Sequence, residues 1–161
     1  MKPLMSHLAG RLLAADLLSS ALSAAVLAWR GRTDAGSAAA PINAISHWLW
    51  PRVALRQDGA SARFTGTGLG VHFGAALLWC GLYEKLRSRR GVATPARAVG
   101  DAITVSTVAA VVDLACVPDR LTPGFEHRVS PRSLVLVYGA FAAGLALAGL
   151  AALKQRQAGD E

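Results

Sequence analysis

The apolar residues of this chain gather into four runs of membrane-spanning length, at about residues 10–29, 69–86, 98–117 and 134–153, each bounded by charge or by helix-capping residues. About 20 apolar residues in a helix cross a hydrocarbon layer ~30 Å thick. The pattern therefore predicts an all-α fold, an integral membrane bundle of four transmembrane helices forming a single domain. The first run (GRLLAADLLSSALSAAVLAW) closes at Arg30 and Arg32. A basic start before an apolar run also opens a cleaved signal peptide, but Arg11 and Asp16 interrupt this one and no soluble domain follows it. Thr94–Pro95 and Ser130–Pro131 are N-cap and first-turn pairs for the third and fourth helices.

Between the runs, Pro41 is placed to open and Pro51 to stop a short helix over 41–51. Ile42, Ile45 and Leu49 share one face of it, with Trp48 and Trp50 beside them. Because Trp favours the interface, the segment reads as an amphipathic helix on the membrane surface, with Asn43, Ser46 and His47 on its polar face. Arg52 to Thr67 reads as loop, as does Pro118 to Arg128, with a turn at Pro123–Gly124. The polar end beyond Lys154 reads as a disordered tail. Small residues recur every four positions at Gly66/Gly70/Gly74, at Gly139/Ala143 and at Ala140/Gly144/Ala148, and such faces admit a second helix at close range.

The net charge of +7 is spread over the ends of the apolar runs and forms no patch interleaved with aromatics. It reads as an orientation signal, and no nucleic-acid partner is expected. The link 85–97 carries five Lys or Arg in thirteen residues, against five in thirty-nine for 30–68 and three in sixteen for 118–133. That density predicts a cytoplasmic 85–97 link and cytoplasmic N- and C-termini, in a bacterial inner membrane. Expected partners are membrane lipids, and another membrane protein or a second copy of the chain. Cys80 and Cys116 both lie in apolar runs, where a thiol behaves as a small hydrophobe.

Topology then sorts the polar residues into two layers. Arg11, Asp16, Glu84, Arg97 and Asp101 fall on the inner side, and Asp16 shares a face with Ser20 and Ser23 that reads as glue between helices. His47, His72, Asp113, Asp119, Glu126 and His127 fall on the outer side, which holds every histidine except His7. Asp113 is the costliest of them, since a carboxylate at the centre of a span costs ~2.5–3.5 kcal/mol to insert. Ala102, Ser106, Ala109 and Ala110 share its face, which points it into the bundle. The expectation is a polar pocket in which Asp113 bonds to His72, His47 or an arginine of the 120–128 loop. His47, His72 and Asp113 are also weak candidates for a metal site. Adjacent Glu126 and His127 on an extended loop are expected to point apart.

No GxSxG, Walker loop, dinucleotide fingerprint or CxxC is present, so no cofactor is expected. The strings APINAISHWLW, GxxxHFGAALLWxxLYEKL and VVDLxxVPDRLTPGFExRxS, followed by a small-residue-rich last helix, resemble small uncharacterised inner-membrane proteins of proteobacteria. They are similar to the YagU-like group, which also has a His-containing span ending in an acidic residue and a Leu-Thr-Pro loop before its last helix. The resemblance implies a membrane location and transfers no catalytic residues. The leading functional expectation is non-enzymatic: a small polytopic protein that binds a lipid, ion or partner through a polar pocket on its periplasmic face. The alternatives are a membrane-embedded hydrolase using His47, His72 and Asp113, and an oligomeric proton-coupled transporter using Asp16, Asp101 or Asp113.

Overall fold

In the computed structural model the backbone is described for residues 2–89 and 94–159, and side chains for these except 2–7, 156 and 159. Arg90, the last two acidic residues, and the side chains of Lys2, His7 and Arg156 lie outside the described residues. The chain is all-helical: α1 (Lys2–Asp34), α2 (Ala40–Ile45), α3 (Thr67–Arg89), α4 (Pro95–Val111) and α5 (Pro131–Gly159), joined by short 3-10 and π turns. Among the described residues, three stretches are long and apolar enough to cross a membrane, Leu8–Asp34, Pro95–Cys116 and Pro131–Gln155. The expected count of four is thus met by only three on length and composition. Helix α3 is long too, but Glu84, Lys85, Arg87 and Arg89 crowd its last turns, and His72 and four glycines dilute the rest.

Side-chain contacts fix the packing as antiparallel between neighbours. Ser23 meets His72 and Arg11 meets Glu84, so α1 and α3 run opposite ways. Tyr83 bonds the carbonyl of Ala98 while Ser106 bonds that of Tyr138, which extends the alternation to α4 and α5. The α1–α5 interface is the most extensive and the α3–α4 interface the slimmest of those around the ring. At one end lie the start of α4 and the close of α3, with their basic residues. The other end is covered by the 35–66 and 117–130 links.

Two cores follow from this arrangement. Ala15, Ala76, Cys80, Tyr83, Val105, Phe141 and Leu145 fill the centre. Leu27, Ile42, Ile45, Phe125, Val129 and Val137 form a second cluster under the cap. Here the interfacial-helix expectation is corrected. Helix α2 and the 3-10 turn Ser46–Trp48 occupy 40–48 rather than 41–51, and Ala40 through His47 are all buried. The polar face is inside because the loop folds over it. The Asn43 amide donates to the carbonyls of Gln57 and Gly59, both at 2.9 Å, and its oxygen accepts from Thr65 Oγ1 at 2.6 Å. Ser46 bonds the Asn43 carbonyl at 2.7 Å. Arg52–Thr67 is not plain loop either: a 3-10 turn (Ala54–Arg56) and a π turn (Ala62–Gly66) lead into α3. The tail beyond Lys154 continues α5 to Gly159.

Close helix approach uses other glycines than the pattern suggested. Gly66, Gly70 and Gly74 have open space where a side chain would stand, so that row faces outward. Gly144, from the Ala140/Gly144/Ala148 row, is pressed against the backbone of Leu18 and Ser19, and this contact lets α1 and α5 pack closely. A longer side chain at 144 has to force the two backbones apart. Overpacking of that kind costs about 1–3 kcal/mol, so Gly144→Leu is expected to lower the melting temperature in detergent while Gly70→Leu leaves it nearly unchanged.

Candidate functional site

Beneath the cap, a cavity of about 300 Å³ lies between α3 and α4, where the ring is thinnest. Its floor is Ser23 of α1 and Phe141 of α5, and its roof is Ile45 and Trp48 of the cap with Pro123 and Phe125 of the second link. His72 and Trp79 of α3 face Asp113 of α4 and Tyr138 of α5 across it. Leu78 and Leu121 belong to its wall yet are 71% and 51% exposed, so the cavity opens sideways past these two side chains.

Local structure explains how each polar group reaches this space. Asp113 sits in a π turn, Val112–Cys116, closed by the bond from Val117 N to Val112 O at 3.1 Å. The wider turn ends α4 and carries the Asp113 side chain inward, toward α5. Its partner is Tyr138, whose hydroxyl donates to Asp113 Oδ2 at 3.1 Å. This corrects the expectation of a histidine or arginine. The reason is register: antiparallel packing sets the Tyr138 turn of α5 beside the end of α4, whereas Arg128 is drawn off to Asp58 and to the Leu55 carbonyl. His72 Nε2 is hydrogen-bonded to Ser23 Oγ at 3.0 Å. Both Ser19 and Ser23 also return a hydroxyl bond to their own helix four residues back, so their polarity is satisfied locally.

The six outer-layer residues therefore divide. His72 and Asp113 line the cavity, and His47 does not. Its Nδ1 lies 3.0 Å from the Ala44 carbonyl and its Nε2 3.4 Å from that of Asp119, a bridge that fastens the second link onto α2. Gly124 lets the two approach: its φ of +88° favours glycine, and an added Cβ would strike His47 and the Ala44 carbonyl. Asp119 contributes this backbone oxygen, and its residue is exposed. Glu126 and His127 do not point apart, because the segment is a 3-10 turn rather than extended; His127 Nε2 is 3.6 Å from Glu126 Oε1. The Glu126 oxygens are shielded from solvent and make no hydrogen bond among the described residues. No three His, Cys, Asp or Glu side chains converge on a possible metal position among the described residues.

Tyr138 and Trp79 were missed by sequence reasoning, while Ser23 was read as glue between helices, a reading its bond to His72 of α3 fits. A tyrosine in a small-residue helix is a visible signal, since a buried hydroxyl needs a partner. At the other end, Arg11 and Arg87 both pair with Glu84, and Arg87 Nη2 bonds the Gly149 carbonyl at 3.0 Å, which ties α1, α3 and α5 together. Asp16 accepts from Ser20 Oγ at 3.1 Å, the intrahelical part of the expected glue stripe.

Since the Asp113–Tyr138 bond spans two helices, losing the donor should cost more than neutralising the acceptor. Tyr138→Phe leaves a half-buried carboxylate without its hydroxyl, a loss of about 1–3 kcal/mol. Asp113→Asn keeps an oxygen there. Unfolding in mixed micelles is expected to show Tyr138→Phe as the more destabilised of the two.

Compared with known proteins, the chain matches no protein-family model, and neither a curated protein nor a solved structure is significantly similar to it.

Proposed function

We propose that this protein is a bacterial inner-membrane bundle in which α3 serves as a fourth span, and that its task is to hold an amphiphile from the surrounding lipid in the cavity between α3 and α4. The observation that carries the reading is the composition and aperture of that cavity. Its wall is apolar apart from Ser23, His72, Asp113 and Tyr138, and it opens laterally past Leu78. Ligand sites are commonly apolar clefts with few placed polar groups. An apolar tail enters such an opening without crossing water, while a polar head meets His72 and Asp113.

Helix α3 supports the fourth span because its charges are confined to one end and two of them are neutralised inside the bundle. Glu84 and Arg87 are buried and paired, and no Asp, Glu, Lys or Arg stands between Arg63 and Glu84. With the dense 85–97 link in the cytoplasm, the cap and the cavity mouth lie toward the periplasm.

Native mass spectrometry of protein released from micelles is expected to find one co-purifying amphiphile per chain. Ala75→Phe, which fills the cavity from α3, should lose it, and equal retention by both proteins would count against the reading. Reporter fusions after Arg90 and after Glu126 should give opposite signals, cytoplasmic and periplasmic; a periplasmic signal at Arg90 would reverse the orientation.

A further inference from the structure

Five of the chain's ten Phe, Trp and Tyr residues line this one cavity: Trp48, Trp79, Phe125, Tyr138 and Phe141. Aromatics make up only 6% of the sequence, so their gathering around a carboxylate is a departure from the composition of the helices that carry them. Phe125 and Tyr138 stand with ring centroids 6.3 Å apart, tilted at 58°. Aromatic faces carry negative potential and attract cations, above all quaternary or alkylated ammonium groups.

The charge balance points the same way. Asp113 lines the cavity and is bonded by a neutral hydroxyl, with no ion pair among the described residues. None of the described residues lining the cavity is Lys or Arg. Glu126 lies close enough for its charge to act on both Asp113 and Tyr138. A phosphate head would meet a carboxylate and ring faces with no Lys or Arg to pair it and only His72, already bonded to Ser23, as a basic group, so anionic and zwitterionic phospholipids fit poorly. At about 300 Å³ the space is at the small end for a ligand site, enough for a head group and its first carbons, with the rest of a chain leaving between α3 and α4.

We infer that the amphiphile taken by this cavity is a single-chain organic cation, an alkylammonium whose charged head rests among Trp48, Trp79 and Tyr138 against Asp113. This rests on the amphiphile reading above and names the chemistry of its ligand. The head needs no donor from the protein, and the site needs no water to neutralise its carboxylate.

The test is titration calorimetry of the full chain in neutral maltoside micelles with three probes of equal length: dodecyltrimethylammonium, dodecanol and dodecyl phosphate. Partition into empty micelles is subtracted, and Ala75→Phe marks what depends on the cavity. The expected result is one cavity-dependent site for the ammonium, weakened roughly thirtyfold by Asp113→Asn, the scale for losing a desolvated charge partner, with much weaker binding of the other two. If Asp113→Asn does not fold, Trp79→Leu takes its place. It keeps apolar bulk without a ring face, and should weaken the ammonium about three- to fivefold while leaving dodecanol unchanged. Equal cavity-dependent binding of all three probes, with neither variant discriminating, overturns the cation inference and leaves the amphiphile reading standing. Absence of cavity-dependent binding by any probe overturns both.

Discussion

The constraint on which this structure depends is that a polar group buried among apolar helices has no water to satisfy it, so it needs a partner within the protein. The serines of α1 solve this by bonding back to their own helix. Glu84 solves it with two arginines from different helices, Arg11 of α1 and Arg87 of its own α3, and Asn43 by collecting a stretch of loop around its amide. These solutions place the helices as much as they neutralise polarity. Arg87 reaches a carbonyl of α5, and Ser106 reaches another. The polarity that pattern reading registers as a cost is also what fixes the register of a bundle whose apolar surfaces are nearly interchangeable.

At the cavity the same constraint is met by hydroxyls of neighbouring helices. His72 and Asp113 each have one neutral hydroxyl partner, and both border a space open to the side. The gap between α3 and α4 is roofed by Trp48, Pro123 and Phe125. The second link is in turn held down by His47 and by Trp48 Nε1, which donates to the Thr122 carbonyl at 2.9 Å. Roof and walls therefore belong to one unit, and the separation of α3 from α4 is a built feature of the fold.

Much of this was legible in the chain. Helix caps at Thr94 and the apolar runs locate α1, α4 and α5, and the alanines sharing a face with Asp113 correctly point it inward. What could not be read is register across the bundle. Nothing in the sequence says that Tyr138 rather than His47 stands beside Asp113, because that depends on how α4 ends in a π turn and on which glycine α1 approaches. The cap was misread for a related reason. Asn43, Ser46 and His47 have the spacing of a solvated face, and only the partners supplied by residues 57 to 65 and 119 make that face an interior one. Glycine periodicity was equally ambiguous, since a row every four residues marks a face without saying what faces it.

Asp34 illustrates how the ends of the chain are joined. It stands at the close of α1, yet its carboxylate accepts from Ser130 N at 2.8 Å and Ser133 Oγ at 2.5 Å, while pairing with Arg30. The first helix thus braces the N-cap of the last across nearly a hundred residues, while Ser130 itself caps α5 by accepting from Ser133 N at 3.4 Å. During synthesis α1, α3 and α4 are made before this partner exists, so the start of α5 meets Asp34 only by docking against a helix made long before. Closure of the ring is consequently a late, non-local step of biogenesis. A chain ending ahead of Pro131 would leave the Ser19 turn of α1, against which Gly144 is pressed, without its most extensive partner surface.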